Sequence, residues 1–272
     1  MKTCYPLFEF YSDISEPFKI AKGIEIVPNA IDLSKINKIN LSEEDVIQIP
    51  LPNYCLQIDN DMARPEGASL LFMVACRLLK RTKVFIRYRV DVDDRVLKVV
   101  DRYPFVNSKE ATHVLRQNEC ASLPILYSRL KKFSSLSRRT RNAFYFLRMA
   151  CISRGWLESL LFYVCALETL TSSSEREGKI TEKFIGRIHS FTGYSERKLE
   201  KIYNVRSELI HGRYSYSAEN KNLKWFRVAE EVCRKMFNKI LLDSACLDSL
   251  KDEKSRMALF GSTVQKTDCN VG

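Results

Sequence analysis

Residues 155–170 read GWLESLLFYVCALETL, and this stretch decides the predicted fold class. Large aliphatic side chains recur in it every three or four residues, and they are Leu157, Leu160, Leu161, Val164, Leu167 and Leu170. That spacing places them on one face of an α-helix, where they can pack against other helices. The same periodicity is found in the ranges 123–133, 139–151, 180–191, 196–210 and 222–244. The second half of the chain is therefore predicted to form a helical bundle.

The region before the bundle is expected to combine short strands with one helix. Residues 68–80 contain strong helix formers and end in Arg and Lys, which indicates a helix. Apolar and polar side chains then alternate over residues 83–90, and a returning strand is expected at 95–100, so a β-hairpin is predicted. The predicted fold class is mainly α, with a smaller α+β N-terminal region that contains this hairpin.

Three segments follow from this pattern. Residues 1–110 are predicted to form the mixed α+β domain, 111–250 the helical bundle and 251–272 a weakly structured tail, since the periodicity fades there. A chain of 272 residues with 45% hydrophobic and 28% charged side chains fits one or two globular domains.

Composition and motifs disfavour several classes of protein. Nine cysteines are scattered singly and only three histidines are present, so we expect reduced cysteines instead of disulfides or a zinc site. Asp91, Asp93 and Asp94 are assigned to the hairpin turn and not to a metal. No apolar run approaches the ~20 residues of a membrane span, and no secretory signal is recognised. The P-loop, GxGxxG, HExxH and GxSxG motifs are missing. A cytoplasmic protein without metal or cofactor is expected.

The positive charge of the chain is concentrated in one segment. The net charge is +11, and residues 120–157 contain no Asp or Glu. The basic residues of this segment are Arg129, Lys131, Lys132, Arg138, Arg139, Arg141, Arg148 and Arg154. A solvated helix face and a track for nucleic acid both explain such a run, and its place just before the motif-bearing helices favours the track. Arg138, Arg139, Arg141 and Arg148 are the RNA-binding candidates.

Residues 204–216, NVRSELIHGRYSY, carry the best candidates for catalysis. Gly212 is a helix stop signal, so the helix over 196–210 should run into His211 and end there. Arg206 and His211 are five residues apart, which is about 140° around a regular helix, and they would not share one face. They can converge only if the last turn loosens at Gly212, or if a second subunit brings its own pair.

This segment and its surroundings resemble the Apea-like HEPN family, part of a superfamily with an R-x(4-6)-H motif. Residues 166–170, ALETL, match the ALExL helix of the family, and a polar loop follows. Residues 183–191, KFIGRIHSF, match the next helix, and the helix with Arg206 and His211 completes the order. The resemblance spans about residues 120–245 and implies a HEPN-type helical bundle.

The activity that the resemblance implies is metal-independent cleavage of RNA, by attack of the 2′-hydroxyl on the adjacent phosphate. His211 would move a proton at the attacking or leaving oxygen. Arg206 would hold the phosphate oxygens as charge builds up. Ser207 would support them, in the position where many catalytic members have Asn, Asp or His. Glu168 would orient Arg206 by an ion pair, or else it is an exposed helix carboxylate.

The resemblance also implies partners and a biological setting. A homodimer would unite two Arg and His pairs in one cleft, and antiviral defence or a toxin-like role would be typical of the family. Arg213 and Tyr214 are further RNA-binding candidates, although Arg213 stands where HEPN toxins of the R-x4-H-x-Y type have tyrosine. Ser207 leaves open a non-catalytic HEPN module that binds RNA or a protein partner. In both cases the N-terminal region would recruit a regulatory partner or sense a trigger.

Overall fold

The structure is a computed structural model, and it describes residues 2–28, 53–59, 64–82, 84–91, 96–102, 114–133, 136–173, 178–214 and 219–261. The chain divides into two compact units. The first comprises Met1–Lys131 with Cys151–Arg154, and the second comprises Lys132–Ala150 with Gly155–Gly272. The sequence predicts a boundary after residue 110, and the observed division lies later in the chain. The reason is that the first helices that follow the hairpin belong to the same unit as the sheet.

The first unit is built on a six-stranded antiparallel sheet with the strand order β2-β3-β4-β1-β5-β6. Its strands are β1 (Lys2–Phe8), β2 (Phe18–Ala21), β3 (Ile24–Pro28), β4 (Tyr54–Asp59), β5 (Phe85–Asp91) and β6 (Val96–Arg102). Tyr5 pairs with Leu56, and Leu56 pairs with Ile26 on the next strand. All three side chains are buried, so one row of the sheet forms part of the core.

The predicted hairpin is confirmed by the antiparallel pairing of β5 with β6. Its predicted turn, with Asp93 and Asp94, lies outside the described residues. Asp91 is the last residue of β5, where it is buried and accepts a hydrogen bond from Arg89 Nε at 2.9 Å. The sequence did not predict that the hairpin extends a larger sheet, because its pairing with β1 joins residues far apart in the chain.

The helices of the first unit are α1 (Pro65–Leu79), α2 (Gln117–Cys120) and the greater part of α3 (Leu123–Phe133). Helix α1 contacts β4 and buries Phe72, Met73 and Cys76. The described cysteines are all free thiols, and all but Cys165 are buried. Burial raises the pKa of the Cys4 thiol to about 11, so this thiol is uncharged near neutral pH. The expectation of reduced, mostly buried cysteines is confirmed for the described residues.

The second unit is helical, as predicted. Its helices are most of α4 (Arg138–Ile152), then α5 (Trp156–Thr171), α6 (Ile180–Thr192), α7 (Glu196–Ile210), α8 (Glu219–Leu242), α9 (Ser244–Asp248) and α10 (Glu253–Gly261). Helix α5 contacts α6, α7, α8 and α10, so it lies inside the unit, as α6 and α8 do. Its residues Leu160, Val164, Leu167 and Leu170 are fully buried. A helix surrounded in this way needs apolar side chains on much of its surface.

The C-terminal end of α5 receives arginine side chains from other helices. Arg139 of α4 donates to the carbonyl oxygens of Ser172 at 3.3 Å and Ser173 at 2.7 Å. Arg187 of α6 donates to the carbonyl oxygen of Thr171 at 2.9 Å. The last carbonyl groups of a helix have no partner within the helix and carry partial negative charge, so cations are favourable there.

Arg256 of α10 is the fully buried arginine at this helix end, with 0% of its surface exposed. It donates to the carbonyl oxygens of Leu170 and of Ser172, the latter at 2.8 Å, and pairs with Glu253 at 2.7 Å. The expectation of a weakly structured tail over 251–272 is therefore wrong for Glu253–Gly261. Residues 262–272 lie outside the described residues. The helix escaped prediction because its buried side chains are only Arg256 and Phe260, which do not form an apolar stripe.

No helix in the described ranges is long and apolar enough to cross a membrane.

Replacing Arg256 by Met should lower the free energy of unfolding by roughly 2–4 kcal/mol, because the Leu170 carbonyl loses its Arg256 donor and the Ser172 carbonyl keeps only the longer contact with Arg139. Urea unfolding followed by circular dichroism measures the change. Arg197→Met, on an exposed position of α7, is the matched control. Equal stability of the two variants would show that the arginine contacts do not hold this helix end.

Candidate functional site

The candidate site is built on the last two turns of α7, which end in a closed Schellman turn. Gly212 adopts φ 66°, a conformation that favours glycine, and its N–H donates to the Leu209 carbonyl at 3.3 Å. The N–H of Arg213 donates to the Glu208 carbonyl at 2.8 Å, and that of His211 to the Ser207 carbonyl at 3.0 Å. These bonds satisfy the end of the helix and hold the backbone at His211.

Arg206 is held against α5 by an ion pair. Its Nη2 lies 2.7 Å from Glu168 Oε2, and each side chain has 20% of its surface exposed. The guanidinium carbon lies 5.6 Å from the centre of the Tyr203 ring, one turn earlier on α7. Of the two alternatives for Glu168, the structure shows the ion pair with Arg206 and not an isolated exposed carboxylate.

A thiol completes the surroundings of Arg206. Burial raises the pKa of Cys165, and the positive charge of Arg206 opposes that shift, which places the two groups close together. Arg206 Nε is buried and has no hydrogen-bond partner among the described residues. The guanidinium thus meets Glu168 on one edge and keeps unused hydrogen-bonding capacity on another.

His211 is exposed at the end of α7, on a different side from Arg206. The helix is regular up to Ile210, so the two side chains project about 140° apart around its axis. Ser207, between them, is half-buried. The last turn is not loosened at Gly212, so a single chain in this conformation does not bring the imidazole and the guanidinium together. The sequence left two ways to unite them, a loosened last turn or a second subunit. Only a second subunit is compatible with the closed turn.

A cleft of about 380 Å³ lies between the start of α5 and the end of α7. We call it the Trp156 cleft, and its apolar wall consists of Trp156, Leu157, Leu161, Leu209 and Ile210. Leu157 and Leu161 were expected in the core but are half-buried, because their side of α5 faces this opening.

Two aromatic residues connect the cleft to the chain beyond His211. Tyr214 packs edge-on against Trp156, with the ring centres 6.3 Å apart. Tyr214 is half-buried, and Arg213 is exposed on the turn between it and His211. Both RNA-binding candidates of this turn therefore lie near the motif. Arg213 is exposed to solvent, and Tyr214 lies against Trp156.

Helix α4 carries a basic stripe, which we define as Arg138, Arg141 and Arg148 with Tyr145. These positions lie within about 80° of one another around the helix. Arg138 and Arg141 are exposed, Tyr145 is 54% exposed, and Arg148 lies half-buried over the Phe144 ring at 5.9 Å. Sequence reasoning missed Tyr145, although its spacing from the arginines is the signal that would have found it.

Arg139 differs from the other RNA-binding candidates of α4. Its guanidinium donates to carbonyl groups of residues 172 and 173, so it holds the end of α5. It also projects about 100° away from Arg138, outside the basic stripe.

Comparison with protein-family models gave no match, and comparisons with curated proteins and with solved structures gave none either. The HEPN resemblance therefore rests on the ordered motifs between residues 166 and 211.

The pair of Arg206 and Glu168 can be measured with a double-mutant cycle. Glu168→Gln should lower the free energy of unfolding by roughly 1–3 kcal/mol, because a mostly buried guanidinium loses its counter-ion. In the Arg206→Met background the same change should cost much less. Glu200→Gln, on an exposed position of the same helix α7, is the control. Additive effects of the two changes would contradict a direct interaction.

Proposed function

We propose that the second unit is a metal-independent HEPN-type endoribonuclease that works as a homodimer. The observation that carries the proposal is the arrangement of Arg206 and His211 on α7. Glu168 holds the guanidinium of Arg206 in place, while the imidazole of His211 is exposed at a rigid helix end five residues later. One cationic group is thus pre-positioned and one proton-transfer group is accessible, which are the two groups that RNA cleavage by the 2′-hydroxyl requires.

Each cleavage site in this proposal takes Arg206 from one protomer and His211 from its partner. His211 accepts the proton of the 2′-hydroxyl while the bond between O2′ and phosphorus forms. The bond between phosphorus and O5′ breaks, and O5′ takes a proton from water. The products carry a 2′,3′-cyclic phosphate and a 5′-hydroxyl group.

Arg206 binds the phosphate oxygens as negative charge builds up on them, because its planar guanidinium stays charged and can donate several hydrogen bonds. Glu168 acts as a positioning residue, since it touches Arg206 and not the RNA. Ser207 adds a hydroxyl on the same turn, between the two charged groups.

The RNA approaches along positively charged surface in this proposal. The basic stripe on α4 offers exposed guanidinium groups for phosphates and the exposed ring of Tyr145 for base stacking. Arg213 offers a further cation next to His211. We place the activity in the cytoplasm, in antiviral defence or a toxin-like role, with the first unit as the part that senses a trigger or a regulatory partner.

A second function is favoured by one specific observation. Arg206 already has a counter-ion in the single chain, as it would in a unit that binds RNA or a protein without cutting. The two functions differ in whether the RNA is cleaved in a reaction that requires His211.

The first test is cleavage of mixed RNA by the purified full chain in EDTA. We expect the wild type to cleave and His211→Ala to cleave about 10²- to 10⁴-fold more slowly, since the proton acceptor is lost. His189→Asn is the matched control, because Asn can keep the contact of His189 Nδ1 with the Tyr194 carbonyl at 2.8 Å. RNA that stays intact, or equal rates for the wild type and His211→Ala, would favour the binding module.

The second test asks whether one site uses two protomers. Arg206→Ala and His211→Ala are each inactive in this proposal, but a refolded equal mixture should regain about one quarter of the wild-type rate. Half of the dimers are then mixed, and each mixed dimer keeps one complete pair out of two. Light scattering of the wild type should give the mass of a dimer. A mixture no more active than its parents, or a strictly monomeric active protein, would contradict the composite site.

A further inference from the structure

Among the described residues that line the Trp156 cleft, the charged group is the carboxylate of Glu158, in the first turn of α5. It lies directly over Gly155, since a Cβ atom built on Gly155 would fall 1.6 Å from Glu158 Oε2. The absence of a side chain at residue 155 is therefore what gives the carboxylate its position on the cleft wall. Gly155, at φ −96°, has ordinary backbone geometry, so a side chain there would displace the flexible end of Glu158 without straining the backbone.

Glu158 is exposed, and its carboxylate makes no hydrogen bond or ion pair within the part of the chain that the structure describes. An ionised carboxylate accepts hydrogen bonds but cannot donate them, so its partner must supply N–H or O–H donors. A phosphate would be repelled by it. The occupant that fits is a flat, largely apolar molecule with donors along one edge.

Size restricts the occupant further. A cleft of about 380 Å³ lies near the lower end of the usual range for small-molecule pockets, ~300–1,000 Å³, and suits a single nucleoside better than a peptide segment. Its wall is mainly aliphatic, from the side chains of residues 157, 161, 209 and 210, and Trp156 lies behind it with 7% of its surface exposed. Such an apolar wall can cover one face of an unstacked base.

We infer that the Trp156 cleft binds a guanine base of the RNA next to the phosphate that is cut, and that Glu158 recognises its Watson–Crick edge. Guanine has two neighbouring donors on that edge, N1–H and the N2 amino group, which match the two oxygens of a carboxylate. Adenine and cytosine each have an amino group beside an acceptor, and uracil has one N–H between two carbonyl groups. The inference rests on the proposed function, since the cleft is lined by Ile210, the residue that precedes His211 in the chain.

The inference is tested by nucleotide binding, which does not require cleavage. The chain has two tryptophans, so Trp225→Phe leaves Trp156 as the only one, and its fluorescence reports on the cleft. This full-length variant is titrated with guanosine, inosine, adenosine, cytidine and uridine monophosphates. Saturable quenching by guanosine monophosphate is expected. Inosine monophosphate, which lacks only the N2 amino group, should bind about tenfold more weakly.

Two further changes, each made in the Trp225→Phe background, address Glu158 itself. Glu158→Gln keeps the size but removes one acceptor, and it should weaken guanosine monophosphate binding about tenfold or more. Gly155→Ala should weaken it as well, because the new methyl group displaces the carboxylate without removing it. Glu200→Gln, an equivalent change on exposed α7 surface, should leave binding unchanged. Thermal melting checks that all variants are folded.

The outcomes separate this inference from the proposed function. His211→Ala should lose cleavage and keep guanosine monophosphate binding. Guanosine selectivity without any RNA cleavage would retain the inference about the cleft and overturn the nuclease. Equal quenching by all nucleotides, no quenching at all, or an unchanged Glu158→Gln variant would overturn the inference, even if the chain cuts RNA. Fluorescence that follows protein concentration and not nucleotide would overturn it too, because a second copy of the chain would then cover the cleft.

Discussion

The second unit depends on the electrostatic neutralisation of the C-terminal end of α5. Arg139, Arg187 and Arg256 reach this end from three different helices and donate to its free carbonyl groups. Arg206 comes from a fourth helix and binds Glu168, less than one turn before them. A helix end with unpaired carbonyl groups is costly to bury, and here the partners that lower this cost also fix the helices that carry them.

The candidate catalytic arginine belongs to this same arrangement. Arg206 is oriented by the Glu168 carboxylate of α5, so its position follows from the packing of α7 on α5. His211 is oriented by a different device, the closed turn at Gly212, and it faces solvent. The two groups are thus held apart within one chain, and this separation is the physical reason why we propose a composite site between two protomers.

The two ends of α5 differ in chemistry. Its C-terminal end gathers cations on carbonyl groups, whereas its N-terminal end carries the Glu158 carboxylate over Gly155 in an apolar cleft. Helix α7 contributes residues to both ends of α5. Arg206 meets the C-terminal half of α5, and Leu209 and Ile210 line the cleft at the start of α5. In the proposed enzyme the phosphate contact and the base contact would lie at successive positions along one helix pair.

The sequence by itself determined the features that depend on neighbouring residues. Apolar periodicity placed α3 and α7 at their observed residues, and Gly212 marked the end of α7, because helix formation and termination are local. For Glu168 the sequence left two alternatives, an ion pair with Arg206 and an exposed carboxylate, and the structure shows the ion pair. Only the tertiary structure decided the order of the strands, the anchoring of α10 by Arg256 and the meeting of the start of α5 with the end of α7 in the Trp156 cleft. These features join residues distant in sequence, and no periodic pattern encodes which polar groups meet when the helices pack.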